Sequence, residues 1–182
     1  MKYCSHCAQP VALKVPAGDS LPRFVCDGCG RIHYQNPKIV AGCIACWGER
    51  ILLCRRAIQP RHGLWTVPAG FMENGETVAQ AAARETIEEA CAEVEDLRLH
   101  GLFNIPHISQ LYIMFHARLA APQFSAGAES LEVRLVTEEE VPWDALAFPV
   151  VRRSLRLFFS DRARGRYETH MLDILPSPMP PS

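Results

Sequence analysis

The chain has 182 residues, of which 48% are hydrophobic and 21% are charged, and its formal net charge is −1. This length and composition predict a globular chain with one domain of ordinary size and a small appendage. The near-neutral charge excludes a global basic field that would attract nucleic acid or an anionic membrane. No apolar run approaches the roughly 18 residues that a membrane span needs. We therefore expect neither a nucleic-acid partner nor a membrane partner.

The first residues, MKYCSHC, contain no apolar signal region. We therefore expect a cytoplasmic protein. In that compartment the eight cysteines are expected to be thiols or metal ligands rather than disulfides.

Three zones follow one another along the chain. Residues 1–36 hold two Cys-x-x-Cys pairs with Gly and Pro between them, which predicts a small metal-binding domain. Residues 37–175 alternate apolar runs with helical patterns, which predicts the main domain. Residues 176–182, PSPMPPS, predict a flexible tail, because proline excludes both a helix interior and a central strand.

The main zone begins with a predicted hairpin. KIVAGCIACW (38–47) and RILLCRRA (50–57) are apolar enough for buried strands, and Gly48-Glu49 lies at the turn. Further short strands are predicted over 64–70, 99–105, 111–119 and 131–137.

Two helices are predicted among these strands. Thr77 followed by Gln80 resembles a capping box, which would open a helix that runs to about Ala92. Residues 146–165 have the pattern of an amphipathic helix with a proline near its start. Strands mixed with two helices predict an α+β fold in which a mixed sheet packs against helices.

The two cysteine pairs of the first zone have the spacing of a zinc ribbon. Eighteen residues separate Cys4-x-x-Cys7 from Cys26-x-x-Cys29, and four thiolates complete a tetrahedral zinc shell. The alternatives are four free thiols, or His6 or His33 as a ligand. Because a closed shell has no open position for substrate, we predict structural Zn²⁺ and no catalysis there. The other four cysteines, Cys43, Cys46, Cys54 and Cys91, are predicted to be small core residues.

The helix over 77–92 concentrates carboxylates. At 100° per residue, Glu85, Glu88 and Glu89 fall within about one third of its circumference. The opposite, apolar side is predicted to hold Ala79, Ala83, Ile87, Ala90 and Val94. A solvated acidic face and a cation site are both compatible with this spacing, which alone does not decide between them.

A longer pattern contains these glutamates. The order Gly70, five residues, Glu76, seven residues, Arg84-Glu85 and then Glu88-Glu89 resembles the Nudix hydrolase signature GX5EX7REUXEEXGU, where U is apolar. The chain departs from it with Thr86 at an apolar position and Cys91 at the final glycine. The resemblance implies a Nudix α/β/α sandwich with a mixed sheet, preceded by the small zinc ribbon. It also implies hydrolysis of a nucleoside diphosphate linked to another moiety.

The resemblance also implies a catalytic metal. Mg²⁺ or Mn²⁺ would be held by Glu85, Glu88 and Glu89 and by the backbone carbonyl of Ala69 or Gly70. Oxygen ligands of this kind suit both hard cations, and the substrate diphosphate would complete the shell. Arg84 would orient Glu85 or Glu76 without touching substrate.

The remaining site predictions are individual residues. Glu129 and Glu132 are candidates for the general base, and the alternative for both is an exposed loop or strand-edge glutamate. Arg55 and Arg56 end a strand and are candidates to contact phosphate, the alternative being a solvated strand end. Phe71 is a candidate to stack on a base or a flavin.

A zinc ribbon ahead of a Nudix domain is the layout of NADH pyrophosphatases, but these carry SQPWPFPxS after the signature. Here the chain reads LHGLFNIPHISQLYIMF. CDGCGRIHYQNPKIVAGC and RRAIQPRHGLWTVPAGFMENGET are similar to the plant FAD/ADP-ribose pyrophosphatase branch. That branch implies cleavage of FAD to FMN and AMP, or of ADP-ribose to AMP and ribose 5-phosphate. It also implies a small-molecule nucleotide substrate and a homodimer. NADH pyrophosphatase and a nucleotide-sensing, non-catalytic Nudix regulator are the alternatives.

Overall fold

The computed structural model describes residues 1–176, and the chain forms two compact units, Met1–Pro37 and a second that begins at Lys38. Except for Pro176, the predicted flexible tail over 176–182 lies outside the described residues. Among the described residues, no helix has the length and apolarity to cross a membrane.

The first unit is a three-stranded antiparallel sheet in the order β1-β2-β3. The strands are β1 (Val11–Lys14), β2 (Arg23–Cys26) and β3 (Ile32–His33). Only Cys4, Cys26 and His33 are buried in this unit. Because three buried residues do not form an apolar core, the unit depends on another source of folding free energy, such as a bound metal.

The second unit is built on one mixed sheet with two helices. Its elements are β4 (Lys38–Trp47), β5 (Arg50–Arg56), β6 (Trp65–Thr66), β7 (Ala69–Phe71), α1 (Val78–Ala90), β8 (Val94–Ile105), β9 (Gln110–Leu119), β10 (Ser130–Val136), α2 (Pro149–Ala163) and β11 (His170–Asp173). The sheet order is β10-β5-β4-β9-β8-β11, with β6 beside β5 and β7 beside β4. The pairs β4–β9 and β8–β11 are parallel, and the other pairs are antiparallel.

The two helices cover opposite faces of this sheet. On β4, Cys43 packs in the core beneath α1, whereas the next residue, Ile44, packs in the core beneath α2. On β5, Leu52 and Leu53 divide between the same two cores. This alternation follows from the two-residue period of a strand. The predicted α/β/α sandwich with a mixed sheet is therefore confirmed.

The buried face of α1 differs from the predicted apolar face. Ala81, Ala82, Thr86 and Ala90 are buried, and Glu85 and Glu89 are buried with them, whereas Ile87 is 49% exposed. The Thr86 hydroxyl donates to the carbonyl of Ala82 at 2.8 Å, so its burial leaves no unpaired polar group. The predicted apolar face was wrong because two of the glutamates assigned to the opposite side are buried, which turns Ile87 toward solvent.

The end of α1 explains the departure at Cys91. Cys91 is exposed and not a core residue, in contrast to the prediction, while Cys43 and Cys54 are buried as predicted. With φ 47° and ψ 37°, Cys91 has the left-handed conformation that ends many helices, and its N–H donates to the carbonyl of Ile87 at 2.8 Å. Glycine adopts this conformation without strain, so cysteine here adds backbone strain but removes no carboxylate.

The segment after α2 is fixed by Asp161. This fully buried carboxylate accepts hydrogen bonds from His170 Nε2 at 2.7 Å and from the backbone N–H of Glu168 at 3.2 Å, and it pairs with Arg164. The chain is thereby returned to the sheet, where β11 pairs in parallel with β8.

Candidate active site

The helix that carries the glutamates starts at a defined point. The Thr77 hydroxyl accepts from the N–H of Gln80 at 3.2 Å, and the Gln80 amide oxygen accepts from the N–H of Thr77 at 2.8 Å. The predicted capping box is therefore confirmed. Shortly before this cap, β7 pairs with β4, and its Gly70 closely approaches the Glu85 carboxylate of α1.

Arg84 connects the loop to the helix through five hydrogen bonds. Its guanidinium donates to Glu76 at 2.8 and 3.0 Å, to Glu85 at 2.7 Å and to Glu88 at 3.0 Å. It also donates to the backbone carbonyl of Phe71 at 3.1 Å. The bonds from Arg84, followed by one from the N–H of Glu73, lower the pKa of Glu76 to about 2. Arg84 thus contacts both Glu76 and Glu85, the two glutamates that it was predicted to orient.

Two carboxylates of this cluster are buried. Glu85 and Glu89 are only 8% and 5% exposed, and Oε2 of Glu89 has no hydrogen-bond partner among the described residues. Burial first, and then the charge of Glu85, raise the pKa of Glu89 to about 8. Burial also raises the pKa of Glu85, although Arg84 opposes this shift. Neighbouring buried carboxylates with an unpaired oxygen are costly unless a cation lies between them.

The donor set fits a divalent cation. Glu85, Glu88 and Glu89 supply only oxygen atoms, the ligands that Mg²⁺ and Mn²⁺ prefer. The backbone of Ala69 lies close enough to Glu89 to lower its pKa, so the loop backbone is beside the same carboxylate. At Gly70, an added Cβ would overlap the carboxylate of Glu85. These residues therefore form a site with the chemistry of a hard-cation centre.

The loop before β10 packs on the C-terminal end of α1 and brings Glu129 to the cluster. The N–H of Gly127 donates to the carbonyl of Glu89 at 3.0 Å, and the N–H of Ser125 donates to the carbonyl of Ala90 at 2.9 Å. The charge of Glu129 contributes to the raised pKa values of Glu85 and Glu89. Glu129 is therefore within electrostatic range of both buried carboxylates.

Glu132 is engaged elsewhere. It pairs with Arg134 and lies 4.0 Å from Arg55, whose Nε donates to the carbonyl of Gly63 at 2.9 Å. Of the two candidate bases, the structure therefore brings Glu129 to the carboxylates and pairs Glu132 with arginines. Arg55 likewise belongs to the Glu132 group.

Arg56 and Phe71 are the remaining candidate substrate contacts. The charge of Arg56 lowers the pKa of Glu89, and its guanidinium lies 5.2 Å from the ring centroid of Phe148. Phe71 is 49% exposed, directly follows Gly70 and has Lys38 Nζ 5.0 Å from its ring centroid. Arg56 therefore acts electrostatically on Glu89, and Phe71 exposes a ring beside Lys38.

The four predicted zinc ligands form a separate cluster. Four sulfur atoms lie within 4.8 Å of one another, and they belong to Cys4, Cys7, Cys26 and Cys29. The Cys4–Cys29 and Cys7–Cys26 sulfurs are 3.8 and 3.4 Å apart, near the roughly 3.8 Å that tetrahedral Zn–S bonds of about 2.3 Å require. His33 Nε2 is 3.3 Å from the Cys4 sulfur, so it contacts a ligand and lies outside the four-sulfur set. The residues fit one structural Zn²⁺.

Family models match both units. Residues 2–35 match the Nudix N-terminal zinc ribbon, and residues 36–158, more than half of the chain, match the NUDIX domain. The chain belongs to the Nudix hydrolase family.

Curated Nudix relatives share part of this chain. The NAD-capped RNA hydrolase NudC of Chromobacterium violaceum is 35% identical over 117 residues, which are 64% of this chain and 42% of that protein. NudC of Edwardsiella ictaluri is 34% identical over 122 residues, 66% of this chain and 45% of that protein. The chain thus spans less than half the length of these curated relatives.

Solved Nudix structures match over longer stretches. A NUDIX hydrolase from Nitrosomonas europaea is 50% identical, with a TM-score of 0.93 over 97% of this chain and all of that chain. A bifunctional NMN adenylyltransferase/ADP-ribose pyrophosphatase from Francisella tularensis, complexed with AMP and manganese, has a TM-score of 0.60 at 17% identity. That match covers 72% of this chain and 42% of the other, and at this identity it shows the fold alone.

Sequence reasoning missed two residues that shape this Nudix site. Gly127 lies so close to α1 that an added Cβ would overlap the carbonyl oxygen of Glu88. Phe148, the residue at the N-cap of α2, lies against Arg56. Both relationships join distant parts of the chain, so no local pattern signals them, although Gly127 stands two residues before the predicted base.

Proposed function

We propose that this Nudix hydrolase adds water across the diphosphate linkage of an adenine dinucleotide, with NAD(H) as the first candidate substrate. The observation that carries the proposal is the pair of buried carboxylates, Glu85 and Glu89, with the unpartnered Oε2 of Glu89. Curated relatives that are named NAD-capped RNA hydrolases and are about one third identical support NAD as the dinucleotide.

The chain's residues would prepare a place for the substrate diphosphate. Glu85, Glu88 and Glu89, with the backbone of Ala69 or Gly70, would hold Mg²⁺ or Mn²⁺. The bound cation would neutralise the diphosphate and lower the pKa of the attacking water.

Arg84 would act by position. Its bonds to Glu76, Glu85 and Glu88 fix the direction of each carboxylate before substrate arrives. Such fixed orientation reduces the rearrangement that is needed during reaction. Because these carboxylates and a backbone carbonyl already accept all five of its hydrogen bonds, Arg84 has no donor left for phosphate.

Glu129 is the proposed general base. It would accept a proton from the attacking water, the new bond would form at phosphorus, and the bridging P–O bond would break. The products from NADH would be AMP and reduced nicotinamide mononucleotide. The proximity of Glu129 to Glu85 and Glu89 supports this role, and the pairing of Glu132 with Arg134 weighs against that residue.

Arg56 and Phe71 are proposed to bind substrate. Arg56 can donate hydrogen bonds to a non-bridging phosphate oxygen. Arg55 is the weaker candidate, because it lies 4.0 Å from the carboxylate of Glu132. The exposed ring of Phe71 can stack on a base.

FAD and ADP-ribose are the second candidates. The stretch after the signature, LHGLFNIPHISQLYIMF, lacks the SQPWPFPxS motif of NADH pyrophosphatases. Both compounds contain the same adenosine diphosphate linked to another group, so they present the same linkage to the carboxylates. Only the group beyond the diphosphate differs.

A turnover panel tests the proposal. NADH, NAD⁺, FAD, ADP-ribose and a nucleoside triphosphate would each be offered with Mg²⁺ and with Mn²⁺, and AMP and the second product would be separated by chromatography. Preference for NADH or NAD⁺ would support the first candidate, and preference for FAD or ADP-ribose would select the second. Tight binding without cleavage would overturn the hydrolase proposal in favour of a regulator.

The homodimer implied by the resemblance belongs to the same proposal. Light scattering would support it with a mass near twice the 20.4 kDa of one chain. A mass of one chain at assay concentration would contradict it.

A further inference from the structure

A groove beside the start of α2 is lined by four arginines. Its volume is about 620 Å³. Arg61 comes from the loop between β5 and β6, and the others come from the first two turns of α2, with Phe148 and Asp173 completing the wall. The arginines are Arg61, Arg152, Arg153 and Arg156.

These arginines carry charge that the rest of the groove does not neutralise. All four are exposed, and none forms an ion pair with a carboxylate of the described residues. Asp173, the acidic residue of the wall, accepts a hydrogen bond from Asn104 at 2.9 Å. The groove therefore holds a local excess of positive charge in a chain whose net charge is −1.

The arrangement at the start of α2 is unfavourable for the helix itself. The first turn contains no acidic residue, and the N-cap Phe148 makes no side-chain capping bond. Arg152 adds positive charge at the positive end of the helix dipole. The stability of α2 therefore does not explain why arginines stand at its start. A bound anion would interact favourably with both the arginines and the uncapped helix end.

The groove lies next to Arg56, the residue proposed above to contact phosphate. The Arg56 guanidinium lies 5.2 Å from the ring centroid of Phe148, which lines the groove, and its charge also acts on Glu89. Nε of Arg56 donates to the carbonyl of Pro60 at 2.9 Å, beside Arg61. A substrate whose phosphate contacts Arg56, as proposed above, would therefore lie next to the aromatic residue that lines the groove.

We propose that the arginine groove binds a phosphate ester on the nucleotide part of the substrate, beyond the diphosphate that is cleaved. This inference rests on the proposed function, and it makes the groove a determinant of specificity. The phosphate is either a terminal group on a ribose or the first phosphodiester of an attached nucleotide chain. Guanidinium groups suit both, since they donate paired hydrogen bonds to phosphate oxygens.

The test compares three substrates that differ in this phosphate. NADH, NADPH and an NAD-capped oligonucleotide would be cleaved by the unaltered chain and by the Arg152→Ser and Arg153→Ser variants. The control is Arg98→Ser, because Arg98 is also exposed, is unpaired among the described residues and lines a different cleft.

We expect kcat/KM to be about tenfold higher with a phosphate ester than with NADH, as one charge-assisted hydrogen bond allows. Arg152→Ser and Arg153→Ser should each lower that ratio toward one, with NADH turnover unchanged, and Arg98→Ser should leave it intact. Preference for NADPH would show that the groove binds a terminal phosphate on the ribose. Preference for the capped oligonucleotide alone would show that it binds the first phosphodiester of a nucleotide chain. Equal ratios in all four proteins would overturn the inference while leaving the proposed function standing.

A binding measurement separates the two proposals if no dinucleotide is cleaved. Calorimetry would compare adenosine 2′,5′-bisphosphate and adenosine 3′,5′-bisphosphate with AMP. Tighter binding of either bisphosphate that both groove variants abolish would support the groove even without turnover. Equal affinity for all three compounds would overturn the inference.

Discussion

Gly70 and Glu85 are in such close contact that a methyl group on Gly70 would overlap the Glu85 carboxylate. The overlapping atoms belong to the end of a flexible side chain, so that side chain can turn away without moving the backbone. Gly70→Ala is therefore expected to displace one carboxylate from the cluster and to leave the fold intact.

The expected result for Gly70→Ala is a loss of about 10- to 100-fold in metal-dependent turnover, the range found when groups that orient a metal ligand are altered. The melting temperature should change little. Steady-state kinetics at several Mn²⁺ concentrations and a thermal melt measure both. Unaltered kinetics would show that metal-dependent turnover does not require the present position of the Glu85 carboxylate.

Gly127→Ala is expected to act on stability as well. Here an added Cβ would overlap the backbone carbonyl of Glu88, which α1 holds in place. The loop would have to move away from the helix, at a cost of about 1–3 kcal/mol in the free energy of unfolding. Its displacement would also carry Glu129 away from the carboxylates and lower kcat. Urea unfolding and kinetics would be compared with Ala126→Ser, an exposed change in the same loop, and equal values would refute the loop's positioning role.

Glu129→Gln and Glu132→Gln form a matched pair that identifies the base. Glu129 is within electrostatic range of Glu85 and Glu89. Loss of its carboxylate is therefore expected to lower kcat by about 10²- to 10⁴-fold, the usual contribution of general base catalysis. Glu132 is paired with Arg134, so its loss should leave kcat close to normal. Rates would be measured from pH 6 to 9, and the opposite ranking would assign the base to Glu132.

Zinc removal is expected to unfold the first unit selectively. With only Cys4, Cys26 and His33 buried there, little apolar burial remains when the metal is lost. Cys29→Ser should abolish bound zinc by elemental analysis and remove the amide-exchange protection of residues 1–37. The control is Cys91→Ser, an exposed cysteine outside the cluster. Retained protection in a zinc-free Cys29→Ser protein would show that the unit folds without metal.

The local features of this fold were predictable from sequence because each depends on neighbouring residues. The hairpin of β4 and β5 follows from two apolar runs around a turn, and the start of α1 follows from Thr77 and Gln80. The cysteine spacing likewise predicts the four-sulfur cluster. The family resemblance added the loop at Gly70, which periodicity alone does not connect to the helix.

The remaining features depend on contacts between distant residues. Helical periodicity placed Glu85 opposite the apolar face and did not indicate its burial, because a pattern of charges does not show which other segments pack on them. The parallel pairing of β11 with β8 joins strands that are distant in the sequence, and His170 at the start of β11 bonds to the buried Asp161. The groove was not predicted either, since net charge averages over the chain and hides a local group of arginines.

The pH dependence of Glu89 follows from its burial. Its pKa is raised from 4.5 to about 8, so the metal-free folded chain holds a proton that the unfolded chain releases over this range. The metal-free protein should therefore lose stability as the pH rises from about 4.5 to 8, and Glu89→Gln should remove that loss. A cation must displace the same proton, so cation affinity should rise with pH.

The most direct test of the proposed cation site is Mn²⁺ affinity as a function of pH, measured by electron paramagnetic resonance for the unaltered chain and for Glu89→Gln. For the unaltered chain we expect an affinity that rises about tenfold per pH unit below pH 8 and levels off above it, and for the variant an affinity that is weak and nearly independent of pH. Equal Mn²⁺ affinity of the two proteins at every pH would contradict the assignment of Glu89 to the cation.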